Sequence, residues 1–182
     1  PIGIIIPEPT GLEILRAHRG ILWLQVQTHG KTAHGSMPHL GINAIEKANA
    51  LLNRLKDYTI PHQPHELLGG CSMSINRIAG GSATNIVPES CMVELDIRTL
   101  PGQNRDDIIH SLYTICSDLQ KNDPDFKADI SIIRAVDALQ TDANDPFLKA
   151  VCSITGIDKT CAAGFTTDGP GFQKLKAPVL KP

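Results

Sequence analysis

The stretch Ile21–Leu55, ILWLQVQTHGKTAHGSMPHLGINAIEKANALLNRL, changes its hydrophobic period partway along. Leu22, Leu24 and Val26 alternate with more polar neighbours, which predicts a strand with one buried face. From residue 42 to residue 57 apolar residues recur at steps of three and four, which predicts a helix. We therefore expect a strand, a polar loop and a helix in succession.

The same two patterns continue further along the chain. Strand-like alternation is found in three more segments, residues 71–78, 91–99 and 126–136. A second helical stripe covers Asn104–Lys121, with Asn104 suited to be its N-cap. The resulting order, β-α-β-β-α-β over residues 21–136, predicts a ferredoxin-like α+β unit with a four-stranded antiparallel sheet and two helices on one face.

The segments on either side of this unit have a different pattern. Residues 4–6 predict a short buried strand that ends at Pro7, because proline cannot continue a ladder of strand hydrogen bonds. Residues 145–155 predict a helix, residues 161–165 a short strand, and TTDGPGF a further helix with Asp168 as N-cap. We expect these pieces to belong to an α/β domain interrupted by the ferredoxin-like unit. The expected boundaries are 1–16, 17–137 and 138–182.

Composition excludes several classes of protein. Apolar residues make up 41% and charged residues 20% of the chain, which is typical of a globular protein. A formal net charge of −2 without a basic block argues against binding to nucleic acid, and no apolar run is long enough to predict a membrane span. The five cysteines stand singly, which favours reduced thiols and a cytoplasmic location. Both ends fall in apolar runs, so we expect a fragment of a larger protein.

Two histidines, His34 and His39, lie in the polar loop before the first helix. Their spacing of five, with Pro38 between them, differs from the i, i+4 spacing of a helical zinc motif, and no cysteine or acidic residue lies nearby. A functional loop histidine and a histidine packed on the turn both remain open. We expect a structural role for His39.

Three other polar residues each allow two interpretations. Glu8 follows a predicted strand, where it is either a ligand-binding carboxylate or a solvated turn residue. Asn85 either binds a ligand or makes local backbone hydrogen bonds in its hairpin loop. Arg98 shares a strand face with Glu94 and Asp96, so it either pairs with them or binds a carboxylate substrate.

Four motifs in order carry a resemblance to a known family. They are IPEPTG at 6–11, GKTAHGSMPHLGINAI at 30–45, GGSATNIVPESCMVELDIR at 80–98 and TTDGPGF at 166–172. Together they resemble the acetylornithine deacetylase / succinyl-diaminopimelate desuccinylase family of dinuclear-zinc amidohydrolases and peptidases. The resemblance implies that residues 17–137 are a lid domain, through which two subunits form a homodimer, and that the substrate is an N-acyl amino acid or a dipeptide.

The resemblance also implies roles for individual residues. Glu8 is similar to a ligand of one of two zinc ions, for which cobalt can substitute. His34 is similar to a histidine that reaches the partner subunit's active site and stabilises the oxyanion. Asn85, Arg98 and Thr166 are similar to substrate-binding residues, with Arg98 holding the substrate carboxylate.

The chain also departs from the family pattern. The other zinc ligands and the general base of the family have no match, so we expect this chain alone to retain no zinc and to be inactive. Phe165 stands where the family usually has glycine, which weakens the assignment of Thr166. A dipeptidase or aminopeptidase of the same family and a non-catalytic dimerisation module remain alternatives.

Overall fold

Two ten-residue strands, β3 (Gly20–His29) and β7 (Ser90–Thr99), form the centre of the main sheet. The computed structural model describes residues 2–175 and 178–180. The other strands are β1 (Ile4–Ile5), β2 (Ile14–His18), β4 (Ala33–His34), β5 (Ser72–Gly80), β6 (Ile86–Val87), β8 (Lys127–Val136), β9 (Leu139–Gln140), β10 (Thr160–Ala163) and β11 (Val179–Leu180). The α-helices are α1 (Ala44–Lys56), α2 (Arg105–Asn122) and α3 (Pro146–Thr155), and 3₁₀ turns cover Pro38–Leu40 and Gly169–Leu175.

The main sheet confirms the predicted ferredoxin-like unit. Its strand order is β5-β7-β3-β8, and every neighbouring pair is antiparallel. The pair β3–β7 runs in register from Gly20 opposite Thr99 to His29 opposite Ser90. The sheet therefore has a first end, at Gly20 and Thr99, and a second end, at His29 and Ser90.

The two faces of this sheet differ as the alternation predicts. One face packs on α1 and α2 and forms a single core, whose strand members include Leu22, Leu24, Val26, Val93, Leu95 and Ile97. The opposite face, here called the open face, carries half-buried side chains that none of the described helices covers. Its central members are Trp23, Gln25, Glu94, Asp96 and Arg98. Burying one face while leaving the other polar is the usual solution for an antiparallel sheet.

Helix starts are defined by side-chain caps. Asn104 Oδ1 accepts the backbone N–H of Asp106 at 2.9 Å, so the predicted cap of α2 is confirmed. Asn43 caps α1 in the same way, and Asp145 caps α3.

In the core, burial raises the pKa of the Cys116 thiol to about 11, because the charged thiolate is poorly solvated there.

The flanking segments form two small sheets, in which one prediction needs correction and one strand had no prediction. Strand β1 pairs in parallel with β11, but Ile5 is exposed, so the strand is not buried as predicted. The second strand, β2, was not predicted. It lies between β10 and β9 and is fully buried, although it contains an arginine and a histidine that mask its apolar pattern.

Arginines connect β2 to a loop of the lid. Arg16 is 4% exposed, and its guanidinium binds the carboxylate of Glu66 and donates to Thr160 Oγ1 at 3.1 Å. The hydrogen bond from Arg16 to Glu66, together with the positive charge of Arg16, holds the pKa of Glu66 below its usual range. Arg19 donates to the carbonyl oxygens of Leu68 and Gly70. Loop 66–70 of the ferredoxin-like unit thus helps to fasten β2 to that unit.

The expected domain boundaries at residues 17 and 137 remain a prediction. Among the described helices, none combines the length and the apolar character needed to cross a membrane.

Candidate functional site

His34 and Asn85, far apart in sequence, are brought together at the second end of the sheet. Strand β4 pairs with β6, with His34 opposite Ile86. The backbone N–H of Gly35 donates to the carbonyl oxygen of Asn85 at 2.7 Å. A Cβ at Gly35 would lie 3.2 Å from the backbone of Asn85, a tight contact that favours glycine at this position. Both His34 and Asn85 are exposed.

The environment of His34 determines which ring nitrogen can donate. Nδ1 accepts the backbone N–H of Ser36 at 3.2 Å, and Ser36 Oγ lies 2.8 Å from the same nitrogen. A ring nitrogen that accepts a backbone N–H carries no proton, so the neutral ring holds its proton on Nε2. The exposed side of His34 is therefore a hydrogen-bond donor, which suits the stabilisation of a developing oxyanion.

The loop that carries His34 is supported mainly by backbone hydrogen bonds. Lys31 and Ile42 exchange two of them, at 2.8 and 2.9 Å, and so close the loop ahead of α1. His39 lies in the exposed 3₁₀ turn, and its side chain makes no hydrogen bond to the described residues. Backbone hydrogen bonds between Lys31 and Ile42 thus support the loop, and the structural role expected for His39 stays a prediction.

Arg98 lies on the open face near the first end of the sheet and is paired with Asp96. Its Nη2 donates to Asp96 Oδ2 at 2.9 Å, and its Nε lies 2.8 Å from Oδ1. The side chains are 30% and 18% exposed, respectively. Of the two interpretations left open by the sequence, pairing with a neighbouring carboxylate is observed. It uses only one edge of the guanidinium, so carboxylate binding by the other edge stays open.

Thr166 also lies at the first end of the sheet, beside the junction with β2. Its Oγ1 donates to the carbonyl oxygen of Arg19 at 2.7 Å, which fastens the TTDG turn to the start of the lid. Asp168 directly precedes the helix that begins at Gly169, as predicted for its N-cap, but its side chain makes no capping hydrogen bond to the described residues. Thr167 Oγ1 accepts the N–H of Gly169 at 3.2 Å, and the helix that follows is 3₁₀ over its described length.

Glu8 follows β1 and is half-buried. Its side chain makes no hydrogen bond or ion pair with the described residues, so the carboxylate is available to a ligand. Within residues 2–175 and 178–180, no three histidine, cysteine, aspartate or glutamate side chains come close enough to hold a metal ion together. Glu8 thus fits the role of one ligand, and the described chain does not complete a metal centre.

The candidate residues fall into two groups at opposite ends of the sheet. Arg98 and Thr166 are at the first end, whereas His34 and Asn85 are beyond Ser90 at the second. Eight residues of β7 separate Arg98 from Ser90, a distance of about 27 Å at the usual rise of a strand. This exceeds the length of an N-acyl amino acid. The two groups therefore cannot contact one small substrate within a single chain.

Sequence reasoning missed two residues of this arrangement. Ser36 binds the His34 ring, and a serine two residues after a histidine in a tight loop is a usable signal for such a contact. Arg19 supplies the carbonyl oxygen that receives Thr166 and the guanidinium that holds the lid loop. Its signal was weak, because a single arginine between two strands has no distinctive spacing.

Comparisons with known proteins agree with this architecture. Residues 16–124, more than half of the chain, match the family described as peptidase dimerisation domain. The acetylornithine deacetylase of Myxococcus xanthus is 28% identical over 181 residues, which cover 97% of this chain and 47% of that protein. The acetylornithine deacetylase of Aliivibrio salmonicida is 27% identical, with 94% and 46% covered. The chain thus spans about half the length of the curated relatives it matches.

Solved structures share the fold. The aminopeptidase PepT of Bacillus cereus superposes with a TM-score of 0.73 at 17% identity, over 99% of this chain and 48% of that one. Human carnosine dipeptidase 1 gives a TM-score of 0.67 at 14% identity, with 98% and 52% covered. With its ferredoxin-like sheet and its matching sequence, the chain belongs to the peptidase dimerisation domain family.

Proposed function

We propose that this chain is part of a zinc-dependent amidohydrolase that removes the acyl group from an N-acyl amino acid, of the acetylornithine deacetylase or succinyl-diaminopimelate desuccinylase type. Support comes from relatives 27–28% identical over at least 94% of the chain that are named acetylornithine deacetylase. The cytoplasmic location expected from the single cysteines is part of the same proposal.

The proposal assigns the metal chemistry to the intact enzyme. Glu8 would be one ligand, and zinc, or cobalt in its place, would lower the pKa of a bound water molecule that attacks the amide carbonyl. Since the described residues do not complete a metal centre, we propose that this chain alone is inactive. Calorimetric titration with zinc tests this directly: we expect no stoichiometric binding, and tight binding of two ions would contradict the proposal.

The residues of this chain would bind and orient the substrate. His34 would donate from Nε2 to the oxyanion that forms at the carbonyl carbon, with its tautomer maintained by Ser36. Asn85 lies beside it and would hold the acyl end of the substrate. Arg98 would bind the carboxylate of the amino acid, and Thr166 would line the pocket at the junction.

One observation carries the proposal that the active site is shared between two subunits. His34 and Asn85 lie beyond Ser90 at the second end of the sheet, and Ser90 itself is about 27 Å from Arg98 along β7. A second copy of the chain related by a twofold axis would bring its own His34 to the Arg98 end of the first. We therefore propose a homodimer in which each site is completed by the partner.

The β5 edge of the sheet is the better candidate for the dimer interface. On its helix-facing side, Ile75 and Ile78 are 40% and 53% exposed. Ile45 of α1 is 40% exposed, and its side chain approaches within 3.6 Å of where a Cβ at Gly81 would lie. We call Ile45, Ile75 and Ile78 the β5 edge patch. It combines an unpaired strand edge with exposed apolar side chains, which favours pairing with another strand.

The opposite edge, β8, has features that oppose such pairing. Lys127, Asp129 and Arg134 place charges along it, and the register shifts where Ile133 bulges out of the ladder. Tyr113 of α2 also covers part of this edge, since its Oη donates to the carbonyl oxygen of Ile130 at 3.2 Å. Charges and bulges on an edge strand are common means of preventing association.

A substrate panel tests the proposed function. The intact enzyme should hydrolyse N-acetyl or N-succinyl amino acids faster than dipeptides. Preference for dipeptides would move it to the peptidases of the family, and no hydrolysis at all would favour a non-catalytic dimerisation module. His34→Ala should lower kcat by about 100- to 1,000-fold with unchanged zinc content. A loss of zinc would instead make His34 a metal ligand.

A further inference from the structure

The ion pair between Asp96 and Arg98 has a defined geometry on the open face. The two residues are two apart on β7, so both side chains point to the same side of the sheet. Nη2 of Arg98 donates to Oδ2 of Asp96 at 2.9 Å, and Nε lies 2.8 Å from Oδ1, a close charge contact without the alignment of a hydrogen bond. Asp96 thus contacts the guanidinium along one edge, the edge formed by Nε and Nη2.

The other edge of the same guanidinium is open. Within residues 2–175 and 178–180, Nη1 of Arg98 meets no hydrogen-bond acceptor, and the side chain is 30% exposed. A guanidinium has five N–H groups in a rigid plane, and its Nη1/Nη2 edge can bind a second carboxylate with two parallel hydrogen bonds. The arrangement leaves that edge available in a fixed direction.

We propose that Asp96 is a positioning residue, which holds Arg98 by the Nε/Nη2 edge so that the Nη1/Nη2 edge receives the substrate carboxylate. The proposal rests on the function proposed above, in which Arg98 binds that carboxylate. Asp96 also supplies a counter-charge for the partly buried arginine when no substrate is bound, which avoids an unpaired charge in that state.

Two effects of Asp96 on substrate binding oppose each other. Its negative charge repels a substrate carboxylate, but both carboxylates contact the same positively charged guanidinium, which offsets that repulsion. Its two contacts restrict a side chain with many rotamers, so the ordering of Arg98 is largely complete before the substrate arrives. The positioning effect is the larger in this geometry, because the guanidinium plane must be aligned for both hydrogen bonds to form.

A neighbouring ion pair on the same face provides a matched control. Arg77 Nη1 lies 2.9 Å from Glu94 Oε1, a contact through a single nitrogen. The Arg77 side chain is 64% exposed, so its charge is well solvated. Such exposed ion pairs contribute little to stability. Glu94 also lies two residues further than Asp96 from the first end of the sheet.

The experiment compares Asp96→Asn and Glu94→Gln in the intact enzyme, with N-acetylornithine and its carboxamide analogue as substrates. Asp96→Asn should raise KM for the carboxylate substrate about tenfold, with kcat changed less than about twofold, because binding and not the chemical step is affected. KM for the carboxamide should stay the same. Glu94→Gln should leave KM unchanged for both substrates. Asp96→Ser, which also removes the charge, should reproduce the effect if Asp96→Asn does not fold.

The outcomes separate this inference from the proposed function. An unchanged or lower KM for the carboxylate substrate in both Asp96 variants would overturn the inference. If Arg98→Ala still lost the preference for the carboxylate, the proposed function would stand. If the wild-type enzyme hydrolysed no N-acyl amino acid, the proposed function itself would fail.

Discussion

Replacing Ile78 by lysine tests the proposed dimer interface at the point where it is most exposed. Ile78 lies on the β5 edge, faces the helix side opposite Val93 and is 53% exposed in the single chain. Pairing of two β5 edges would bury this side chain in both subunits. Ile78→Lys would place two positive charges in the same buried region.

The expected loss follows from the exposed fraction. Full burial of an isoleucine side chain contributes up to about 3 kcal/mol, so the exposed half contributes about 1.5 kcal/mol per subunit. Two subunits lose about 3 kcal/mol, which corresponds to a roughly 150-fold rise in the dimer dissociation constant. Lysine adds a desolvation cost, which raises the dissociation constant further.

The assay is sedimentation velocity over a concentration series, and Ile132→Lys is the matched control. Ile132 is 49% exposed and also faces the helix side, but it lies on the opposite edge, β8. We expect Ile78→Lys to shift the protein to monomer and Ile132→Lys to leave the dimer intact. Monomers from Ile132→Lys with dimers from Ile78→Lys would refute the reasoning and move the interface to β8.

Two further predictions concern stability near the junction of the lid. Glu66→Gln removes a carboxylate whose pKa in the folded state is lowered by Arg16. Wild-type Glu66 therefore contributes fully to the free energy of unfolding above its ordinary pKa of 4.5. This contribution is lost as the pH falls through the lowered pKa. In urea unfolding the variant should therefore be less stable than wild type at about pH 6, and this difference should shrink as the pH falls below 4.5. A difference that does not change with pH would contradict this. Gly20→Ala should cost about 2–3 kcal/mol, because the added Cβ would lie 2.3 Å from Thr99 Oγ1 and 2.7 Å from a backbone oxygen. Gly164→Ala, where nothing lies within 4 Å, is the control, and equal stability of the two variants would show that the junction can relax.

The fold of the lid could be predicted from its sequence because hydrophobic period and capping agree along it. Strands β3 and β7 alternate over ten residues, and α1 and α2 follow asparagine caps. Because these local signals agree with which residues are buried in the core, the order of strands and helices can be predicted from the sequence. The flanking segments were less predictable. In β2, Arg16 is buried through partners that lie elsewhere in the chain, so local hydrophobicity does not report its burial.

The sequence supplies candidate residues for the site but not their arrangement. His34, Asn85 and Arg98 are candidates through their motifs, and their roles stay a prediction. That His34 and Asn85 lie together depends on the pairing of β4 with β6, two strands of two residues each, which are too short to carry a periodic signal. The partner of Arg98 was limited to two neighbouring carboxylates, and only the geometry selects Asp96.

The central claim, an active site completed by the partner subunit, is tested most directly with a mixed dimer. His34→Ala and Arg98→Ala variants of the intact enzyme, carrying different affinity tags, are produced together, and the heterodimer is purified through both tags. Each parent homodimer should be nearly inactive. In the heterodimer one of the two sites combines an intact His34 with an intact Arg98, so we predict about half of the wild-type activity. A heterodimer as inactive as its parents would contradict the claim.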